Sequence, residues 1–142
     1  MEGKKIAGKT KHAEIDIDSL AAIQPCMSRV MRQYTERYSI MYHACKAGNW
    51  DLGLYQLKEI REITEVGKKT RPKWTGELDD FDRKFLMPIE NAMKAKDWEV
   101  FERVFNISTQ ACNDVHKRIG YAYIKYKLPE NPPDWLDLTP NL

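Results

Sequence analysis

Two residues with nucleophilic or metal-binding side chains lie close together near the end of the last strongly helical segment. Cys112 and His116 are four residues apart, so on an α-helix both side chains project from one face, about one turn apart. This placement suits a ligand that is attached through the thiol while the imidazole binds its central metal. The spacing alone has low specificity, because a Cys and a His at this distance are usually incidental.

Other kinds of site have little support in the sequence. None of the three histidines has a Glu three residues before it, which excludes the Glu-x-x-His pairs of di-iron bundles. The sequence contains neither a glycine-rich phosphate loop nor a Cys-x-x-Cys zinc pair. Glu59, Glu62 and Glu65 have the spacing of a solvated helix face. We therefore predict that the chain is not an enzyme.

The composition is that of an ordinary globular protein, with 42% hydrophobic and 31% charged residues. The net charge of +2 is too small to imply a nucleic-acid or membrane partner. No apolar run reaches the roughly 18 residues of a membrane span. The three cysteines, an odd number, argue against a disulfide framework. Four lysines near the start of the chain are interpreted as part of a solvated leader: Lys4, Lys5, Lys9 and Lys11.

Hydrophobic periodicity predicts two helices in the first half of the chain. Helix A begins near Pro25 and ends at Lys46-Ala47-Gly48, where the glycine suits a left-handed cap. Helix B begins at the capping residue Asn49 and ends near Gly67. The buried stripe of helix A has spacings of three and four residues, which is typical of a helix in a bundle. Its members are Met27, Met31, Tyr34, Tyr38, Met41 and Cys45.

Two more helices are predicted after a long loop at residues 68–76, which contains Pro72 and Gly76. Helix C runs from about Asp79 to Lys94, and Pro88 should bend it or mark its effective start. Helix D begins at Asp97 and has an apolar side that continues beyond Cys112. The members of that side are Phe101, Val104, Phe105, Ser108, Cys112, Val115, Ile119 and Tyr123.

An internal repeat supports an up-down-up-down arrangement. The segment 46–51 recurs 48 residues later as 94–99, and each copy joins a helix end to a capping residue, a Trp and an acid. We therefore predict an all-α, antiparallel four-helix bundle at 18–127. A flexible basic leader at 1–17 precedes it, and an extended proline-rich tail at 128–142 packs on it, anchored by Trp135 and Leu136.

The segment from Pro25 to Pro133 resembles the cytochrome c′-type four-helix bundles. Three features carry the resemblance: the Gly-Asn-Trp start of helix B, the Lys-Asp-Trp-Glu-Val-Phe start of helix D, and Ala-Cys-Asn-Asp-Val-His at 111–116 followed by Gly120 and Ile124. The resemblance implies a Cys-x-x-Cys-His site, in which two thioethers attach a haem and the histidine is the axial ligand. It also implies a homodimer through helices A and B, and a periplasmic location if a leader was removed. Without a leader, the protein is expected in the cytoplasm.

The sequence departs from this pattern at 115, where Val115 occupies the position of the second cysteine. At most one thioether, through Cys112, can therefore form. Three hypotheses follow. The first is a haem-free relative that acts as a binding or interaction module with a protein partner. The second is a haem protein for electron transfer or gas binding, held by Cys112 or only by His116. The third is a copper site that uses Cys112, His116 and methionines of helix A.

Overall fold

The computed structural model describes residues 3–141, and this part of the chain is predominantly helical with one small two-stranded sheet. Four long helical segments follow a short N-terminal hairpin, which confirms the predominantly helical prediction; the sheet was not predicted. In chain order the elements are β1 (Ala7–Lys9), β2 (Glu14–Asp16), α1 (Ile17–Ala22), α2 (Met27–Lys46), α3 (Trp50–Thr70), a 3₁₀ turn (Pro72–Trp74), α4 (Thr75–Phe81), a π turn (Asp82–Leu86), α5 (Met87–Ala95) and α6 (Trp98–Arg118).

The helices α2 and α3 form a closely packed hairpin, as helices A and B were predicted to do. Gly48 adopts φ +80° in the connecting turn, and the Asn49 side chain accepts a 3.1 Å hydrogen bond from the Leu52 amide. Gly53 and Gly67 lie where α3 approaches α2 most closely. A Cβ atom at Gly53 would lie 2.5 Å from the Cys45 sulfur, so a side chain there would push the helices apart.

The predicted loop at 68–76 is wrong. The helix α3 continues to Thr70, and after Arg71 the chain re-enters helical structure at Pro72. The proline begins the 3₁₀ turn, where its missing N–H is not needed. A π turn precedes Pro88, because this residue can neither donate to the carbonyl four residues before it nor fit its ring beside that carbonyl. Helix C therefore begins earlier than predicted, at Thr75.

The last helix ends before the predicted apolar side does. Gly120 adopts φ +94°, its amide bonds the Lys117 carbonyl, and the Tyr121 amide bonds the His116 carbonyl at 2.7 Å. These two bonds form a Schellman cap. Because the helix stops at Arg118, the prediction that Tyr123 lies on the inward side is wrong, and its side chain is 79% exposed.

Side chains from all four long segments meet in one core. Trp50 and Trp98 both contact Phe101, with ring centroids 5.9 and 5.7 Å apart, so the two tryptophans lie at the same end of the structure, as predicted. The largest fully buried side chains are Phe101, Phe105, Met41, Leu57, Ile60, Ile89 and Met93. Along residues 3–141, no helix combines the length and the apolar character needed to cross a bilayer.

The leader predicted for residues 1–17 differs from the structure in its described part. Residues 3–24, hereafter the arm, contain the antiparallel β1–β2 hairpin and α1 instead of an irregular chain. Residues 1 and 2 lie outside the described part. The hairpin was not predicted because its strands have only three residues each, which is too short for an alternating pattern to be recognised.

The C-terminal tail, residues 125–141, crosses α2 and is held by polar contacts. Tyr126 bonds the Ser39 hydroxyl at 2.9 Å, the Pro129 carbonyl lies 2.9 Å from His43 Nε2, and Asn49 Nδ2 donates to the Leu138 carbonyl at 3.2 Å. This cover buries α2 on every side from residue 38 to residue 45. Trp135 was predicted to anchor the tail, but it is 68% exposed. Residue 142 lies outside the described part.

Candidate functional site

The Cys112 thiol lies inside the protein. Cys112 is a free, half-buried residue on the penultimate turn of α6. Burial raises the pKa of its thiol to about 11, because the surrounding side chains stabilise the neutral thiol relative to the thiolate. At neutral pH the sulfur is therefore protonated and a poor nucleophile.

Three tyrosines surround the space next to this thiol. The Tyr38 ring stacks on Phe105 at 4.3 Å between centroids and meets the edge of Tyr126 at 5.3 Å. Burial raises the pKa of Tyr34, Tyr38 and Tyr126, and in each case nearby Cys112 contributes a smaller increase. The Tyr38 hydroxyl bonds Thr109 at 2.9 Å. Aromatic side chains of α2, α6 and the tail thus fill the space that the thiol faces.

Asn113 holds the tail over Cys112, a role that the sequence analysis missed. Its side-chain oxygen accepts from the Tyr126 amide at 2.8 Å, and its amide nitrogen donates to the Tyr126 carbonyl at 3.1 Å. Asn113 lies between Cys112 and His116 in sequence, where it was treated as a spacer. Asn113 is half-buried in the structure, and the sequence around it contains no signal that indicates this contact with the tail.

His116 lies on the last turn of α6 and contacts the segment that follows the helix. Its Nδ1 atom is 3.1 Å from the Ile124 carbonyl oxygen. Because a carbonyl only accepts, Nδ1 is the donor in this contact, and in the neutral imidazole the lone pair is then on Nε2. The structure thus keeps Cys112 and His116 on one helix, but the thiol faces the core and the imidazole faces the chain turn at 119–124.

The residues at this site do not fit a covalently attached haem. Thioether formation requires an accessible sulfur and space for the porphyrin beside it. The rings of Tyr38 and Tyr126 meet at 5.3 Å between centroids, and both tyrosines lie near the Cys112 sulfur. Val115 is half-buried and cannot form the second thioether. The Tyr34 hydroxyl is buried with no hydrogen-bond partner among the described residues.

The copper hypothesis requires Cys112, His116 and methionines of α2 to meet at one site. Within residues 3–141, no cluster of three or more His, Cys, Asp or Glu side chains is placed to hold a metal ion. Met27 packs where α2 meets Gly67 of α3, since its methyl would lie 3.3 Å from a Cβ atom at that glycine. The Met27 side chain therefore packs between α2 and α3.

Two surface clefts lie away from Cys112 and His116. The first, of about 530 Å³, is lined by Leu54, Leu57 and charged residues of α3 and α5. Arg61 neutralises this cleft by bonding Asp82 at 2.8 Å and Glu90 at 2.6 Å. The second, of about 330 Å³, lies beside the tail and includes Trp135. Both are clefts of the surface without a cluster of catalytic side chains.

Comparison of the chain with protein-family models, with curated proteins and with solved structures finds no match. The likeness to cytochrome c′-type bundles therefore depends on the sequence motifs at the helix starts and at Cys112 to His116.

Proposed function

We propose that this chain is a non-enzymatic, cytochrome c′-like four-helix bundle without covalent haem, which works as an interaction module through its surface. In this proposal α2, α3, the segment α4–α5, and α6 are the four helices, running up, down, up and down. The single observation that carries the proposal is the packing of Tyr38 against Phe105 and Tyr126 next to the Cys112 thiol.

The cost of opening this packing supports a haem-free interior. A haem at Cys112 would have to displace the Tyr126 ring, whose hydroxyl bonds Ser39 and whose backbone makes two hydrogen bonds with the Asn113 side chain. Each of these bonds contributes about 1 kcal/mol, and exposure of the buried aromatic rings would add several kcal/mol more. A function carried by the surface requires none of this rearrangement.

One observation favours the haem protein as a second candidate. The bond from His116 Nδ1 to the Ile124 carbonyl directs a lone pair outward on Nε2, as occurs in histidines that bind metals. This arrangement suits an axial ligand for a haem held without a thioether. A carbonyl partner for imidazole is also common in proteins that bind no metal, so we rank this candidate second.

An absorption spectrum separates the two candidates. The protein is purified from cells able to attach haem, and the spectrum is recorded before and after acid-acetone extraction. We expect a colourless protein whose Cys112 reacts as a free thiol after unfolding. A Soret band that survives extraction contradicts the haem-free proposal. A Soret band that is lost on extraction and is absent in His116→Ala supports the second candidate.

A protein partner that binds to the surface is part of the same proposal. The predicted homodimer through helices A and B would use α2 and α3, where Tyr55 is 50% exposed. The tail covers α2 from Ser39 to His43 and leaves less of that helix free for a second copy. Apolar surface that is free of such cover lies at the other end of the molecule.

A further inference from the structure

Residues 117–127, hereafter the basic segment, run from the last turn of α6 to the start of the tail. They include four Lys or Arg residues and three tyrosines, but no Asp or Glu. The net charge of +2 for the whole chain does not show this local excess, because acids elsewhere offset it. The lysines of the arm differ in that no Phe, Tyr or Trp lies among them. The basic segment therefore combines positive charge with aromatic rings.

Hydrogen bonds fix the basic segment against α6. The Tyr121 amide donates to the His116 carbonyl at 2.7 Å, and His116 Nδ1 lies 3.1 Å from the Ile124 carbonyl oxygen. The Asn113 side chain makes two hydrogen bonds, of 2.8 and 3.1 Å, with the Tyr126 backbone. After the end of α6 the chain therefore turns back and runs beside the last turns of the helix.

Three lysines of the basic segment lie on this side of the molecule. Lys117 is one helical turn after Asn113, so it lies on the face of α6 along which the chain returns. Lys125 and Lys127 belong to the returning chain, and all three lysines are exposed. No ion pair joins any of them to a carboxylate within residues 3–141.

The acids closest to these lysines already have partners. Glu77 of α4 makes a bidentate ion pair with Arg118 at 2.7 and 2.8 Å. Asp114 of α6 accepts a hydrogen bond from Gln110 at 3.0 Å. Arg118 therefore adds little to the charge of this surface, and the three lysines supply it.

Two tyrosine rings of the basic segment face solvent. Tyr123 is 79% exposed and Tyr121 is 38% exposed, and their ring centroids lie 6.0 Å apart. Elsewhere in residues 3–141, the exposed aromatic side chains are those of Tyr55 and Trp135. Trp135 directly follows Asp134, and a carboxylate there would repel phosphates. Exposed rings and unpaired lysines are therefore combined in the basic segment.

A single-stranded nucleic acid matches both features of this surface. Its phosphates bind ammonium groups, and its unpaired bases stack on aromatic rings. The bases of a duplex stack on one another, so exposed tyrosine rings would find no partner there. An anionic bilayer would also attract the lysines, but Ile124 is the one large aliphatic side chain of the segment that is exposed. Little apolar area could therefore enter a bilayer.

We propose that the basic segment binds single-stranded nucleic acid, with Tyr121 and Tyr123 stacked on bases and the three lysines in contact with phosphates. Neither contact reads the sugar or the sequence, so DNA and RNA strands bind alike. With three phosphate contacts, a dissociation constant of about 10⁻⁵ to 10⁻⁴ M is expected at low salt. The inference goes beyond the proposed function and does not depend on whether haem is absent.

Fluorescence anisotropy of labelled oligothymidylate and oligouridylate, each of about 20 nucleotides, measures binding to the full chain. We expect both strands to bind. A plot of the logarithm of the association constant against the logarithm of the salt concentration should have a slope of about −2 for three phosphate contacts. Absence of binding by both strands up to about 500 µM protein overturns the inference.

Tyr123→Ala tests the stacking. It should weaken binding to single strands at least about fivefold and leave binding to a duplex of the same length unchanged. Tyr123→Phe keeps the ring and should bind like the wild type. Trp135→Ala removes an exposed ring that lies beside an acid, so it is the matched control and should change nothing. No loss for Tyr123→Ala, or an equal loss for Trp135→Ala, contradicts the inference.

Lys127→Gln tests the phosphate contacts. We expect the salt slope to become shallower by about 0.7. Lys58→Gln removes the same charge from α3, where Lys58 pairs with Glu62 at 3.8 Å, and should leave the slope unchanged. The same change in slope for both variants would indicate attraction by net charge alone, and the inference would be wrong.

Sedimentation with vesicles of phosphatidylserine and phosphatidylcholine tests a bilayer as the other occupant of this surface. At physiological salt we expect the chain to stay in the supernatant. Vesicle binding that requires Tyr123 and Lys127, together with no binding to either oligonucleotide, would assign the basic segment to lipid and overturn the inference. The absorption spectrum that tests the proposed function is unaffected by any of these results.

Discussion

The arm before α2 and the tail after α6 are both short segments outside the long helices, but their apolar side chains have different surroundings. The tail places Tyr126 and Leu128 against the core, and side chains of α2 and α6 bond its backbone. The arm turns Ile6, Leu20 and Ile23 toward solvent. The tail is held against the helices because side chains of α2 and α6 make hydrogen bonds with its backbone, and the arm has no such contacts among the described residues. The tail is part of the fold, whereas the hydrogen bonds described for the arm stay within the arm.

The largest effect on stability is expected when Tyr126, the residue that packs the tail against the core, is replaced. Tyr126→Ala deletes the aromatic contact with Tyr38 and the bond to Ser39. We expect a loss of about 2–3 kcal/mol in the free energy of unfolding, measured by urea denaturation. Tyr126→Phe keeps the ring and is the matched control, with an expected loss of about 1 kcal/mol. Substitutions on a protein surface usually change the free energy of unfolding by less than about 0.5 kcal/mol. A loss this small for the alanine variant would show that the tail is not part of the fold.

The reactivity of two cysteine thiols reports separately on the arm and on the tail, because Cys26 lies where the arm joins α2 and Cys112 lies beneath the tail. Cys26 is the N-cap residue of α2, and hydrogen bonds from the Ser28 side chain and the Arg29 amide lower the pKa of its thiol to about 7. Burial raises the pKa of Cys112 to about 11. At pH 7.5 we expect iodoacetamide to modify Cys26 at least about 100-fold faster than Cys112.

The pH dependence of the two rates follows from these shifts. The Cys26 rate falls as the pH drops below about 7, because its thiolate becomes protonated, whereas the Cys112 rate still rises between pH 9 and 11. Peptide mass mapping of short exposures gives both rates. In Tyr126→Ala the Cys112 rate should rise toward that of an exposed thiol. Equal rates for Cys26 and Cys112 in the wild type would contradict the buried position of Cys112.

A smaller effect is expected at the turn between α2 and α3, where Asn49 has two roles. Its side-chain oxygen caps α3, and its nitrogen donates to the Leu138 carbonyl of the tail. Asn49→Ala removes both and should cost about 1–2 kcal/mol, whereas Asn49→Asp keeps a good cap and should cost about half as much. Thermal denaturation of the two variants measures the difference. An Asn49→Asp variant as stable as the wild type would mean that the tail contact contributes nothing, and identical losses for the two variants would mean that the cap contributes nothing.

The smallest effect is expected in the arm. Leu20→Ser alters a side chain that is 55% exposed, so the unfolding free energy of the monomer should change by no more than about 0.5 kcal/mol. Urea denaturation at low protein concentration checks this value. A loss of more than about 1 kcal/mol would show that Leu20 packs within the fold, so that the arm and the tail do not differ in this respect.

The sequence predicts the helices where periodicity and caps agree. The spacing of Met41 and Cys45 in α2, the Gly48-Asn49 turn and the paired tryptophans all have the expected places. The loop at 68–76 was wrong because Pro72 and Gly76 were interpreted as breakers, although proline suits a first turn. The end of α6 was misplaced because apolar residues beyond Gly120 matched helical spacing by chance.

The chemistry of the candidate site was harder to predict than its position. The spacing of Cys112 and His116 indicates a shared helix and says nothing of which side chains come from other elements. Tyr38 is distant in sequence, and Tyr126 reaches the site only because Asn113 bonds the tail. Such long-range packing leaves no local pattern, so the apolar side of helix D predicts that Cys112 faces inward, but the tyrosines around its thiol could be found only from the structure.

An intact mass spectrum of protein made in cells that attach haem tests the central claim most directly. The account predicts the mass of the polypeptide alone, because the packed rings of Tyr38 and Tyr126 keep the Cys112 sulfur from the porphyrin. Alkylation after unfolding should then add one label to Cys112. A native chain heavier by one haem, with Cys112 blocked to alkylation, would contradict the account.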